Sequence, residues 1–213
     1  MNDQIHLKSD RLIFVGPVLT SSLTSEQLNP IGLSSVPQIA LDGGDRFALQ
    51  PVLVVGDGDS RAGTSAAPFQ QKPDQDQTDL AFALKLVNPG RWTDLHLFGF
   101  LGGRKDHELA AIGEVCRALA IRMDLTRATF YDSTGDLAFT VHNIGTHAFV
   151  HHGVFSVLAF ESARFTISGA CRFPIRDQTL LSFSGIGISN VGEGEFTIQS
   201  SGVFMMLPTK GSA

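Results

Sequence analysis

Three short apolar runs in this chain break in the same way. Residues 37–41 run into Asp42-Gly43-Gly44. Residues 52–55 run into Gly56-Asp57-Gly58-Asp59-Ser60. Residues 95–98 run into Gly99 and then Gly102-Gly103-Arg104-Lys105-Asp106-His107. A fourth run, Arg11 to Val15, ends in Gly16-Pro17. Unbroken Leu and β-branched runs read as strands buried on both faces, as in a parallel sheet. In such sheets the ligand lies beyond the carboxyl ends of the strands. Glycine and aspartate recurring at those ends point to one shared site.

The rest of the first half supplies helices. Lys72-Pro73-Asp74-Gln75-Asp76-Gln77-Thr78-Asp79 leads into an apolar segment, 80–87, that is helical by propensity and is stopped by Asn88-Pro89-Gly90. Asp76 and Asp79, three apart, share a face at its N-terminus. Leu109, Ile112, Val115, Cys116 and Leu119 recur at helical spacing and predict a helix over 106–120. A short helix is expected near 25–28, and 61–71, rich in Ala, Ser, Gly and Gln, reads as a surface loop. From about residue 128 the pattern changes. Short runs at 128–131, 137–141, 154–160, 165–167, 179–183, 195–198 and 203–207 are separated by Gly, Asp, Asn or Ser, which predicts an antiparallel sandwich or barrel. The expected fold class is α/β plus all-β: an α/β half with a mostly parallel sheet over 1–125, then an antiparallel β-sandwich over 126–213.

Composition narrows the partners. The formal net charge is −5 with no basic run, which argues against nucleic acid. No apolar run approaches the roughly 18 residues of a membrane span, and the first ten residues are too polar for a leader. A soluble, cytoplasmic protein is expected. Cys116 and Cys171 read as buried free thiols.

The first half carries Asp42, Asp57, Asp59, Asp74, Asp76, Asp79 and Asp106 in turns or at helix starts. Any one of them could simply cap a turn. Converged, they repel: two unit charges about 4 Å apart cost roughly 1 kcal/mol in water and about 4 at an effective dielectric of 20. A helix N-terminus offsets only about 0.3–1 kcal/mol. A divalent cation resolves this, and oxygen donors without nearby Cys or paired His favour Mg²⁺ or another hard ion. The turn at Gly102 and Gly103 opens a helix with free backbone N–H groups, and Arg104 adds a planar cation, both suited to phosphate. A carboxylate at Asp106 would repel bare phosphate, so it implies a metal or a hydroxyl beside it. Together these features describe a nucleotide-phosphate site. Phe149, Phe155, Phe160, Phe165 and Phe173 read mainly as core, His147, His151 and His152 as surface or turn residues, and Trp92 carries no assigned role.

These motifs, in this order and spacing, resemble the thiamine pyrophosphokinases. Asp42-Gly43-Gly44, Gly56-Asp57-Gly58-Asp59-Ser60, Asp74-Gln75-Asp76-Gln77-Thr78-Asp79 and Gly102-Gly103-Arg104-Lys105-Asp106-His107 carry the likeness in the first half. Gly169-Ala170-Cys171-Arg172-Phe173-Pro174-Ile175 and Gly187-Ile188-Ser189-Asn190 carry it in the second. The resemblance covers about 39–207. Leu41, Gly58 and the short segment between Gly44 and Val52 depart from the family's pattern, and the segment is expected to form a turn rather than a helix.

The resemblance implies transfer of a diphosphate group from ATP to the hydroxyethyl oxygen of thiamine, giving thiamine diphosphate and AMP, with Mg²⁺. It implies a homodimer whose sites are shared between subunits. It assigns Asp57, Asp59, Asp74, Asp76 and Asp79 to the metal. Asp42, Gly43, Gly44, Gly102, Gly103, Arg104 and His107 are assigned to ATP, and Ser189 with Asn190 to thiamine. Asp76, Arg104 and Asp106 become the catalytic candidates, with Asp76 and Asp106 both open as proton acceptor. The alternatives are a related diphosphotransferase acting on a pterin alcohol and a non-catalytic thiamine- or nucleotide-binding protein.

Overall fold

A computed structural model describes residues 9–59, 65–73, 75–87 and 92–209. The chain divides into two compact units, one of residues 1–115 with 128–137, the other of 116–127 with 138–213.

The first unit contains β1 (Arg11–Val15), α1 (Ser25–Leu28), β2 (Gln38–Leu41), a 3₁₀ turn (Asp42–Arg46), β3 (Pro51–Gly56), β4 (Phe69–Gln71), α2 (Asp79–Leu86) and β5 (Asp94–Phe98). It also holds most of α3 (Lys105–Ile121) and β6 (Arg127–Tyr131). Its strand order is β6-β5-β1-β2-β3-β4. The pairings β1–β5, β1–β2, β2–β3 and β3–β4 are parallel. β1, β2 and β5 are buried along almost their whole length, as their unbroken apolar runs require. The chain leaves β1 towards β2 and β3, then returns to β1's other side as β5. That reversal is the topological switch point where sheets of this type bind ligands. Gly16 and Gly99 meet there: Gly16 N–H donates to the Phe98 carbonyl at 2.7 Å, and a Cβ on Gly16 would lie 2.5 Å from the Gly99 oxygen.

The structure corrects several details. Residues 69–71 form β4 on the sheet edge rather than loop. Leu109 is 70% exposed, so the apolar face of α3 begins later, at Ala111, Val115 and Cys116. Trp92 is fully buried as a core anchor. Cys116 is buried and its thiol is pushed up to about 12 by desolvation, whereas Cys171 is only partly buried.

The second unit contains β7 (Leu137–His142), β8 (Gly145–Ala159), β9 (Ala163–Cys171), β10 (Ile175–Leu180), a 3₁₀ turn (Gly185–Gly187), β11 (Asn190–Ser200) and β12 (Phe204–Pro208). Its order is β10-β9-β11-β8-β12-β7. Each pairing in it is antiparallel. β8 and β11 are far longer than the short runs suggested and pair from Asn190↔Phe155 to Ser200↔Gly145. The sandwich expectation is therefore modified: one continuous series of pairings folds over one core. Phe165 of β9 and Phe204 of β12 are separated in that series by β11 and β8, yet their rings meet at 5.7 Å. Phe155, Phe165, Ile167, Phe196, Ile198 and Phe204 form the centre of that core. No helix among the described residues is long and apolar enough to cross a membrane.

Candidate active site

The carboxyl ends of β2 and β3 bring three aspartates together. Oxygens of Asp42, Asp57 and Asp59 all lie within 4.8 Å of one another. Asp42 follows β2 directly and is 7% exposed, with a backbone φ of 44°. That left-handed conformation is unusual outside glycine, although aspartate tolerates it better than most residues. The turn sets Asp42 against β3, where a Cβ on Gly56 would approach the Asp42 Cβ to 2.8 Å. A side chain at Gly56 would displace the carboxylate. Asp57 and Asp59 form an Asx turn, in which Asp59 N–H donates to Asp57 Oδ1 at 3.2 Å. This bond is the main reason the Asp57 carboxyl sits below its usual range, with Gln75, Asp59 and Lys72 adding to it.

Lys72 completes this cluster, and nothing in the sequence pattern singled it out. It is 8% exposed. Its ammonium lies 3.2 Å from Asp79 Oδ1 and 3.9 Å from Asp57 Oδ2, and it donates to the Gln77 carbonyl at 3.0 Å. Asp79 opens α2 behind a Thr78 cap, whose hydroxyl accepts from Ala81 N–H at 3.1 Å. Burial pushes the Asp79 carboxyl up, against the pull of Lys72. Asp76 lies exposed in the turn before α2. Asp74 and Ser60 lie outside the described residues.

The donor set suits a hard divalent cation. All three converged groups offer oxygen, and their spacing lets one ion touch each. Asp42, expected at the nucleotide end, belongs to this trio, because the 3₁₀ turn after β2 sets its side chain against β3.

The glycine turn before α3 is exposed, as are Arg104, Asp106 and His107. Arg104 grips Asp106 with both arms, Nη2 to Oδ2 at 2.6 Å and Nε to Oδ1 at 3.2 Å. The guanidinium holds the Asp106 carboxyl below the usual range. The Gly102 N–H, expected to be free for phosphate, donates to Glu108 Oε1, and Glu108 also binds Lys105 at 2.7 Å. Two of the expected ATP glycines have packing reasons of their own. A Cβ on Gly44 would lie 2.0 Å from the Val15 oxygen, and one on Gly103 would lie 2.9 Å from Val18 Cγ2. The Gly43 carbonyl accepts from Arg46 Nε at 2.9 Å.

In the second unit, Ser189 is exposed with φ 59°, and its N–H donates to Ser156 Oγ at 3.1 Å. Asn190 is buried and acts as a clip. Its Oδ1 accepts from Phe173 and Val191 N–H at 3.0 and 2.8 Å, and its Nδ2 donates to the Phe173 carbonyl at 2.7 Å. Phe173, unlike Phe155 and Phe165, is 57% exposed. His147 and His151 bond to the backbone carbonyls of Asn143 and Val154, as turn and strand histidines do.

Residues 33–126 match the family model for the thiamin pyrophosphokinase catalytic domain. No curated protein sequence matches the chain. Among solved structures, the thiamin pyrophosphokinase of Geobacillus thermodenitrificans superposes with a TM-score of 0.73 at 21% identity, covering 95% of this chain and 99% of that one. The Bacillus subtilis enzyme gives 0.71 at 19% identity, covering 94% and 98%. The yeast enzyme gives 0.62 at 10% identity, covering 96% and 87%. Likeness at that identity establishes the fold. Over residues 33–126 the chain is thus similar to the thiamin pyrophosphokinase catalytic domain, and its fold is that of the solved thiamin pyrophosphokinases.

Proposed function

We propose that this protein transfers the diphosphate group of ATP to the hydroxyethyl oxygen of thiamine, releasing AMP and thiamine diphosphate. The observation that carries this reading is the trio of Asp42, Asp57 and Asp59 at the ends of β2 and β3, inside the matched catalytic domain. Residues 1–125 act as the nucleotide- and Mg²⁺-binding domain and 126–213 as the thiamine-binding domain.

Asp42, Asp57 and Asp59 hold a magnesium ion, with Asp76 and Asp79 continuing the acidic wall at the head of α2. When bound, the ion neutralises phosphate charge and orients the chain of phosphates. The rest falls to the protein's own groups. Arg104 takes charge on the transferred group once it exchanges Asp106 for phosphate, and His107 and the Gly102–Gly103 turn are assigned to ATP with it. An alcohol is a weak nucleophile at neutral pH, so a carboxylate accepts its proton. Asp106 is a weakened base, since Arg104 occupies both its oxygens, and this favours Asp76 as acceptor. On the thiamine side, Asn190 fixes the backbone of Phe173 beside Ser189. The exposed Phe173 ring then offers a cation–π face to the thiazolium, and Ser189 offers a hydroxyl.

The working form is a cytoplasmic homodimer with each site shared between subunits. Support comes from the second unit's turns, where Phe173, Leu181, Phe183, Ile186 and Ile188 are each more than half exposed. Exposed apolar side chains in these turns suit coverage by another copy.

The test is AMP release from MgATP with thiamine, with a pterin alcohol, and with neither. Thiamine-dependent AMP is expected. AMP that appears only with the pterin alcohol would move the substrate, and no AMP with measurable thiamine binding would make the protein a binder.

A further inference from the structure

Lys72 is a buried cation beside a metal-type carboxylate set. It stands immediately after β4, and its ammonium meets Asp57 of the trio, Asp79 at the head of α2, and the Gln77 carbonyl. A buried ammonium is retained only where it is paired and hydrogen-bonded, and this one is both. The pairing is unusual in what it connects. Asp57 belongs to the cluster that converges with Asp42 and Asp59, whereas Asp79 lies outside that cluster. Lys72 lies within salt-bridge distance of both carboxylates.

Without a cation between them, Asp57 and Asp79 would face each other across a site that already holds two further carboxylates. A second divalent ion would relieve that repulsion. Lys72 already supplies a cation within ion-pair distance of both carboxylates. Oxygens bind magnesium at about 2.1 Å, so an ion bridging Asp57 and Asp79 would lie close beside the ammonium and be repelled by it.

We infer that Lys72 is a built-in cation of the site, a positioning residue that replaces a second divalent ion between Asp57 and Asp79. The protein alone then binds one divalent ion per chain, at Asp42, Asp57 and Asp59, and Asp79 serves as the counter-ion of Lys72. This rests on the diphosphokinase reading of the same site. The family-like aspartates then divide into two sets, one that holds metal and one that holds the lysine orienting Asp57.

The test counts Mn²⁺ bound to the full chain without nucleotide, by loss of the free-ion EPR signal. The parent protein should bind one ion per chain. Lys72→Met should bind two, Lys72→Arg one, and the double variant Lys72→Met with Asp79→Asn one again. Lys72→Met still binding one ion, or the parent binding two, would overturn the inference while leaving the diphosphokinase reading standing. A parent that binds no Mn²⁺ would overturn the metal-site reading and the inference with it. If Lys72→Met does not fold, Lys72→Gln keeps a donor for the Gln77 carbonyl without the charge. Mn²⁺ must then raise its melting temperature more than the parent's; an equal or smaller rise contradicts the inference.

Discussion

At the scale of single residues, the site depends on a few groups with distinct roles. Asp42 adopts a left-handed backbone so that its carboxylate reaches those of Asp57 and Asp59. Asp57→Asn should therefore cut turnover by about 10²-fold or more, the usual loss when one preorganised electrostatic contact is removed. Steady-state AMP formation checks it, with the melting temperature held as control; near-parent turnover would remove Asp57 from the metal site. Much of this was legible in the sequence, because aspartate after a buried strand has few structural reasons to recur. Lys72 was not legible: a lysine before a proline in a polar stretch reads as surface, and only the fold shows its ammonium buried between two aspartates. Glu108 was hidden for the same reason, since its occupation of the Gly102 N–H depends on how α3 begins. His147 supplies a pH prediction. Partial burial lowers its folded pKa below 6.5, despite its bond to the Asn143 carbonyl. The unfolded chain therefore takes up the proton first as pH falls, and the stability held above pH 6.5 is lost below it. Denaturant midpoints should fall from pH 7 to pH 5, and His147→Gln should flatten that slope. An unchanged slope would dismiss His147 as its source.

At the scale of elements, close backbone approach decides where glycine stands. Gly44 lies against β1 so tightly that an added Cβ would meet the Val15 oxygen at 2.0 Å. Gly44→Ala should destabilise the fold by about 1–3 kcal/mol, as overpacking does. For a chain of this size that is roughly 2–4 °C of melting temperature per kcal/mol, readable by calorimetry; an unchanged melting temperature would contradict the packing. The parallel strands were legible because burial on both faces leaves unbroken apolar runs. β8 was not, because its first ten residues, Gly145 to Val154, alternate partly buried and exposed positions and carry three histidines and Gly153. Pairing along β11 holds them in the sheet, and no run of apolar residues announces it. β4 escaped notice for a similar reason: at three residues on a sheet edge it needs β3 more than it needs its own composition.

At the scale of the molecule, a site shared between copies requires two complementary subunits. A chain of 22.9 kDa should sediment as a dimer of twice that mass. Mixed subunits carrying Asp57→Asn in one and Ser189→Ala with Phe173→Ala in the other should regain activity that neither variant has alone. Failure to regain it would place each site within one chain. The proposed roles of the trio, the lysine and the turns at Phe173 and Ser189 all rest on one reaction, which phosphorus NMR of the protein with MgATP and thiamine follows atom by atom. AMP and thiamine diphosphate should appear in equal amounts, both abolished by chelating the metal; ADP with thiamine monophosphate, or no thiamine-dependent change, would contradict diphosphate transfer.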